Sequence, residues 1–424
     1  MSFLKNKKVL KMIGFTALFL LVYRFGVLIH LPFIDREFIK SQALSFGFLE
    51  VFTGGALSNF SILSLGISPY ITASIVIQLL QMDIIPVLKE WAEEGEVGRQ
   101  KINQLTRYVA LGLAFVQSLT LTLGLSQGAN KAIFIPNDLG PFVYFYLAIV
   151  STAGTAFTLW LAEQITVKGI GNGTSMIIVA GILASFPQMF YNLYLQFFKS
   201  GGPVTVGGVF TFIAVILVFI LIIVGVTFME AAQRKIPIQY ANRPAAAALR
   251  GKTESNIPIK LNSASVIPVI FASTLMSLPI TIINFFPNAS ISNTLNTIFN
   301  YTQPIGFVIY ILLIFVFSFF YSFLQMNPDK ISENLQNQNA YIPGIRPGAD
   351  TASYLSRVLF KITMVGATYL SVLAALPIIL QRVFNLSSAV QIGGTSLIIV
   401  VGVAVETAKQ LKTETQEKQY RGFI

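Results

Sequence analysis

The side chains on which most enzymes and metal centres depend are nearly missing from this sequence. Its 424 residues include no cysteine and a single histidine, His30. Disulfides, thiol chemistry and Cys- or His-rich metal sites are thereby excluded. Among the acidic residues, Glu163, Glu230 and Glu406 fall at the ends of long apolar runs. No carboxylate pair and no His–acid pair lies inside a run, so acid–base catalysis within a membrane has no residues to use. One cation, Arg24, does lie inside a run; an ion pair or a snorkelling side chain is its expected role. The segment Gly169-Ile170-Gly171-Asn172-Gly173 resembles a phosphate loop, but no strand precedes it and no lysine follows it. A tight turn is the expected structure.

These few polar groups must be positioned by apolar helices. The chain is 54% hydrophobic and 11% charged, where a soluble domain carries about 25% charged residues. The apolar residues come in runs of about 20, the helical length that crosses a bilayer core. Ten spans are predicted, at 11–29, 67–82, 108–125, 141–164, 173–195, 208–230, 266–285, 304–325, 362–380 and 392–408. The first follows Lys5, Lys7, Lys8 and Lys11, as in a signal peptide, but no small-x-small cleavage site closes it. It is read as a retained first helix.

The net charge of +11 is distributed by position. With the N-terminus in the cytoplasm, 23 of the 29 Lys and Arg fall in cytoplasmic segments. The outer segments hold only Arg36, Lys40, Lys131, Lys199 and Arg382. This asymmetry orients the chain with both termini inside. Glu163, Glu230 and Glu406 then lie at cytoplasmic span ends, where water is expected to reach, and Arg24 lies in the outer half of span 1.

Three connections stand out. Residues 46–60, between spans 1 and 2, are apolar but too short to span, and Gly54 and Gly55 interrupt them. They form either a plain outer or interfacial loop or a short half-helix dipping into the protein. The cytoplasmic loops 231–265 and 326–361 are long, basic and punctuated by Pro and Gly. Loops of that length are often functional.

The sequence also repeats itself. Span 5 opens Gly173-Thr174-Ser175-Met176-Ile177-Ile178-Val179, and span 10 opens Gly394-Thr395-Ser396-Leu397-Ile398-Ile399-Val400. Span 2 contains Pro69-Tyr70-Ile71-Thr72-Ala73-Ser74, and span 7 contains Pro268-Val269-Ile270-Phe271-Ala272-Ser273. These are the second and fifth spans of two five-span halves, about 1–200 and 201–424. The paired spans run in opposite directions, so the halves are inverted copies within one domain. Proline suits a first helical turn, Ser and Thr cap helix starts, and Ala-Ser permits close helix approach. The concentration of the repeats on four spans suggests that those four line an axis.

Several ordered blocks resemble the SecY family of protein-conducting channels, over essentially the whole chain. They are Gly54-Gly55-Ala56-Leu57-Ser58, Leu65-Gly66-Ile67-Ser68-Pro69-Tyr70-Ile71, Glu163-Gln164-Ile165-Thr166 with Gly169–Gly173, and Val266-Ile267-Pro268 with Ile270–Ser273. Asn327-Pro328, Pro343-Gly344-Ile345-Arg346-Pro347-Gly348 and Gly393-Gly394-Thr395-Ser396 complete the set. The resemblance implies an all-α polytopic membrane protein of ten helices in two inverted five-helix repeats around a pore, with a re-entrant plug half-helix. It implies a constriction ring of Ile67, Ile71, Thr174, Ile178, Ile270 and Ile399. Thr174 departs from the usual aliphatic residue; its hydroxyl either wets the ring or caps span 5. The implied plug is 46–60, with Phe52, Gly54, Gly55, Ala56, Leu57 and Ser58. The implied lateral gate lies between spans 2 and 7, with Thr72, Gln78, Ser273 and Thr274.

The two large loops would dock a ribosome or the SecA motor ATPase through Arg234, Lys235, Arg243, Arg250, Lys252 and Arg346. Residues Pro244 to Ala248 are less basic than the family's usual stretch. SecE and SecG would be small membrane partners, and secretory preproteins with their signal sequences the cargo. The setting would be the bacterial plasma membrane, with no cofactor and no catalysis by the chain itself. Two rivals make different demands. A solute transporter needs a polar midplane pocket, and a membrane enzyme needs a buried acid–base cluster.

Overall fold

The computed structural model describes residues 7–34, 53–81, 84–126, 140–198, 206–240, 255–284, 291–301, 303–384 and 388–421. Each predicted span is matched by a helix. These are α1 (Lys7–Leu28), α2 (Ser68–Leu80), α4 (Glu96–Ser126), α5 (Pro141–Lys168), α6 (Gly173–Phe198), α7 (Val206–Ala231), α8 (Ile267–Asn284), α10 (Pro304–Gln325), α12 (Ala349–Phe384) and α13 (Ser388–Arg421). Shorter helices α3 (Pro86–Glu93), α9 (Ile291–Phe299) and α11 (Pro328–Asn337) lie between them. Proline in the first turn opens α2, α3, α5, α10 and α11, where its missing N–H costs no helix bond. Asn327 caps α11, its Oδ1 accepting from the N–H groups of Asp329 at 3.0 Å and Lys330 at 3.2 Å.

Six of the described helices are long and apolar enough to cross a membrane unaided, and α2 and part of α8 are apolar but shorter. Their outward faces are unlike those of a soluble protein: Phe142 is 79% exposed and Phe210 69%. Large apolar side chains displayed in such numbers need lipid against them. The chain is a multi-pass membrane protein.

The two halves pack alike. In the first, α2 lies on α4, α4 on α5, α5 on α6, and α1 on both α5 and α6. In the second, α8 lies on α10, α10 on α12, α12 on α13, and α7 on both α12 and α13. Each neighbour relation in one half therefore recurs in the other. Between the halves, α2 meets α8 and α6 meets α13. These are the four helices that carry the repeated motifs, and one continuous hydrophobic core runs through them, including Ile71, Ile178, Ile270 and Ile399.

The two large loops are more ordered than their composition suggests. Residues Gln233–Tyr240 (β1) and Ser255–Lys260 (β2) pair antiparallel, with Ile236 opposite Ile257 and Pro237 opposite Asn256. Strand β3 (Ala340–Tyr341), from the other loop, pairs with Gln239 and Tyr240 of β1. The result is a three-stranded sheet in the order β2-β1-β3. It has its own small core, in which Ile236, Ile238 and Ile259 meet Leu335, Leu355 and Leu359. The all-α expectation is thus modified by one small sheet. The alternation of buried Ile236 and Ile238 with exposed Lys235 and Pro237 has the period of a half-buried strand.

Gly173, the first residue of α6, shows how closely the bundle is packed. A Cβ there would sit 1.8 Å from the carbonyl oxygen of Ala162 on α5. A Cβ at Gly112 of α4 would meet nothing within 4 Å. Gly173→Ala is therefore expected to destabilise by about 1–3 kcal/mol as overpacking. Gly112→Ala is expected to stabilise by about 0.5–1 kcal/mol through helix propensity. Thermal unfolding in detergent followed by intrinsic fluorescence measures both; equal midpoints would refute the close α5–α6 approach.

Candidate functional site

The proposed constriction is built where α2, α6, α8 and α13 converge. Ile67 precedes α2 as its N-cap, one residue after Gly66, whose φ is +52°. Ile67 and Ile399 are fully buried, and Ile71, Ile178 and Ile270 are 3–7% exposed. All five belong to the same core. Little or none of their surface is accessible, and they pack against one another's helices.

Thr174 is held differently. Partly exposed at the start of α6, it donates its hydroxyl to Asn172 Oδ1 at 2.7 Å and its backbone N–H to the same oxygen at 3.0 Å. Its hydroxyl is thus occupied at the helix start, but as a donor: Asn172, and not Thr174, is the capping acceptor.

The four polar residues expected at the α2–α8 seam are all bonded within their own helices. Thr72 donates to Ser68 O at 3.2 Å, and Thr274 to Ile270 O at 2.8 Å. Ser273 donates to Val269 O and Ile270 O. Gln78 Nε2 donates to Ser74 Oγ at 3.0 Å, while its buried Oε1 has no partner among the described residues. No hydrogen bond described for these four crosses the seam. None of these four side chains ties α2 to α8, and the helices can part there without stranding their hydroxyls.

The segment expected to block the ring enters between α1 and α6. Its residues 46–52, including Phe52, lie outside the described part. Residues 53–66 are a chain of turns rather than regular helix, and Ala56, Leu57 and Phe60 are buried. Gly54 and Gly55 have φ of +61° and +81°, conformations that exclude most side chains. A Cβ on Gly54 would lie 2.5 Å from Gly181 Cα on α6, so backbone meets backbone just beyond Ile178. Two side chains of α1 hold this turn. Arg24 Nη1 donates to Gly54 O at 3.0 Å, and Tyr23 Oη donates to Thr53 O at 3.1 Å. Ser58 Oγ closes the next turn on Gly55 O at 3.2 Å.

Of the six docking candidates, Arg243, Arg250 and Lys252 lie outside the described residues. Arg234 and Lys235 are exposed on β1, and Arg346 is exposed in the turn that follows β3. That turn is held from behind. Thr351 Oγ1 donates to Arg346 O at 2.8 Å, and Ser332 Oγ to Gly348 O at 2.7 Å. The β1–β3 pairing brings the two loops, and with them these cations, onto one platform.

A family model, SecY, matches residues 61–408, most of the chain. The chain belongs to the SecY family. Its similarity to the protein translocase subunit SecY of Bacillus licheniformis is 44% identity, covering 100% of this chain and 98% of that one. With the SecY subunit of Halalkalibacterium halodurans it is 46%, covering 97% and 95%. Solved structures share the fold at low identity. One described as the structure of a protein conducting channel has a TM-score of 0.64 at 18% identity, covering 96% of this chain and 92% of that one. Sec61 in the canine ribosome-channel complex from the endoplasmic reticulum has 0.62 at 17%, with the same coverage.

The SecY-family blocks now have physical roles. In the turn 169–173, Ile170 N–H donates to Thr16 Oγ1, Gly171 N–H to Gln410 Oε1 and Gly173 N–H to Thr166 Oγ1, each at 2.9 Å. Those donors are taken by α1, α13 and α5, as a structural turn requires and a phosphate loop would not. Glu163 of the Glu-Gln-Ile-Thr block pairs with Arg107 Nε at 2.6 Å. One expectation is corrected: Glu230 does not reach water but is 2% exposed, because residues 262–265 fold over the end of α7 and bond its carboxylate.

Arg24, expected to form an ion pair or to snorkel, instead donates to a backbone carbonyl of the turn it holds. Its depth in span 1 was the available signal; its partner, 30 residues away in an irregular segment, was not. A hydrogen bond from a charged donor is worth about 1.5–3 kcal/mol. Arg24→Leu is thus expected to free Gly54 and raise the resting ion conductance of the reconstituted channel by roughly tenfold or more. Planar-bilayer recordings measure this, and a leak equal to wild type would refute the clamp.

Proposed function

We propose that this chain is the pore-forming subunit of a channel that passes unfolded secretory polypeptides across the membrane and releases apolar segments sideways into lipid. The observation that carries this reading is the closed, purely aliphatic part of the ring, formed by four helices that share two motifs. Flexible aliphatic side chains offer no binding site, so they tolerate any sequence in transit. When the chain is absent their apolar constriction dewets and resists ions. Residues 46–60 act as the plug on the outer side, with Gly54, Gly55, Ala56, Leu57 and Ser58 in its closing turns. The seam between α2 and α8 acts as the lateral gate. A single Asp, Lys or Arg in a segment opposes its exit by roughly 2.5–3.5 kcal/mol, so the seam sorts by hydrophobicity.

The charge asymmetry supports a cytoplasmic location for both termini and for the sheet platform. The curated relatives are bacterial proteins, which favours the bacterial plasma membrane. The chain itself performs no catalysis. Energy comes from a motor ATPase of the SecA type or from the ribosome, docked on Arg234, Lys235 and Arg346, and SecE and SecG are its small membrane partners. A solute transporter would need a polar pocket at the midplane, where the ring isoleucines are packed instead.

The chain has no native cysteine, which makes the decisive test clean. A single cysteine at Ile270 is expected to crosslink to a secretory chain stalled in transit, while a cysteine on the lipid-facing side of α7, at Phe210, is not. Crosslinks at Phe210 and none at Ile270 would overturn the central pathway. For docking, Arg346→Glu is expected to reduce translocation of a preprotein by reconstituted vesicles with a motor ATPase about tenfold or more, the loss typical of a charged anchor. Protease protection reads this out; unchanged protection would remove Arg346 from the docking surface.

A further inference from the structure

The docking platform and the gate helix share a joint. Strand β1 starts at Gln233, two residues after α7 ends at Ala231, and β2 ends at Lys260, seven residues before α8 begins at Ile267. Residues 261–266 therefore receive the hairpin on one side and launch the gate helix on the other. Leu261 N–H donates to Ala232 O at 2.9 Å, which closes the base of the hairpin.

A buried polar knot fills that base. The Glu230 carboxylate, 2% exposed, accepts from Ser265 Oγ at 2.7 Å and from Asn262 Nδ2 at 3.3 Å, both through Oε1. Asn262 Nδ2 also donates to Ser265 O at 3.0 Å. Lys409 of α13 donates its ammonium to the backbone carbonyl of Glu230. The charged groups that act on the carboxylate are Lys260, Lys409 and Glu406. Ser265 has φ of +52°, a conformation disfavoured for serine and maintained here by the bonds around it. The walls are close: Val266 lies against Gly402 of α13, and the carbonyl of Leu261 against Gly366 of α12.

A buried carboxylate is costly unless it is paired and hydrogen-bonded. Nothing in the closed ring or the seam uses this one. What it joins is the end of α7 and the turn before α8, while the backbone carbonyl of the same residue takes Lys409 of α13. We propose that Glu230 is a positioning residue that couples the docked platform to the lateral gate. A displacement of the β1–β2 hairpin moves Leu261 through Ser265, and the knot transmits that movement to the start of α8 instead of letting the turn absorb it. The proposal rests on the reading of the sheet as docking platform and of α2–α8 as gate.

The test separates binding from opening. Wild type, Glu230→Gln and Glu230→Ala are reconstituted in vesicles and titrated with purified ribosomes stalled on a signal-bearing nascent chain. Affinity is read by co-flotation, and gate opening by crosslinking of the signal segment to photoreactive lipid. Glu230→Gln keeps an oxygen that accepts from Ser265 and Asn262, and is expected to stay within about threefold of wild type in both readouts. Glu230→Ala is expected to bind as wild type does but to lose about tenfold or more in lipid crosslinking per bound ribosome, as a buried hydrogen-bonded anchor lost in the transition would require. Equal crosslinking per bound ribosome in Glu230→Ala would overturn the coupling. Failure of the wild type to bind ribosomes would instead overturn the docking reading and the coupling with it. Should Glu230→Ala not insert, Ser265→Ala removes the hydroxyl donor and carries the same expectations.

Discussion

Inside a hydrocarbon slab a peptide group must find its hydrogen bonds within the protein, and an irregular stretch of backbone finds them with difficulty. Residues 53–66 are such a stretch, buried among helices. Many of their groups are nonetheless accounted for. Ala56, Asn59, Phe60, Ser61, Ser64 and Gly66 donate to carbonyls three to five residues earlier, and Ile62 donates to Ile29 across the gap to α1. The carbonyls of Thr53 and Gly54 take Tyr23 and Arg24. Arg24 is thereby rationalised in part: a cation within a span is expensive, and a buried carbonyl without a donor is too, so the bond between them offsets some of both costs.

The molecule divides into parts that are locked by polar bonds and parts that are closed by apolar contact. The turn before α6 and the turn before α8 are locked, the first by Thr16, Gln410 and Thr166, the second by Glu230. The ring isoleucines and the seam hydroxyls belong to the second kind. In the proposed channel, contacts among the isoleucines can re-form after parting, since dispersion carries no register, and a seam whose hydroxyls bond their own helices parts without a desolvation penalty at those groups. The fixed points therefore lie at helix starts and the movable surfaces lie between them.

Much of this is legible in the residues. The ten spans are, because hydropathy sustained over about 20 residues is the signature of a helix in lipid. The four axis helices are, because duplication left the same small residues at their starts, and the contacts between α2 and α8 and between α6 and α13 follow that pattern. Hydropathy marks only the part of a helix in lipid, so the polar extensions of α4, α12 and α13 read as loop or tail. The sheet escapes a sequence reading because prolines at 237 and 258 demote a strand pattern, and because β3 is two residues long. Glu230 reads as solvated from its place at a span end; its burial depends on Asn262 and Ser265, more than 30 residues further on. Arg24's partner is hidden for the same reason.

The two prolines of the hairpin have a consequence for what the sheet can pair with. Pro258 lies opposite Lys235, and Pro237 opposite Asn256, two residues along the same ladder. Proline has no N–H, so such pairs are accommodated where that group would point away from the partner strand. On β2 the missing donor faces away from β1, toward the edge on which no strand pairs among the described residues. On β1 it faces the side on which β3 covers only Gln239 and Tyr240. An unpaired stretch of sheet edge is a template for a further strand. With one outward donor missing from each strand of the hairpin, either margin is a poorer template than an unbroken row of N–H groups would be.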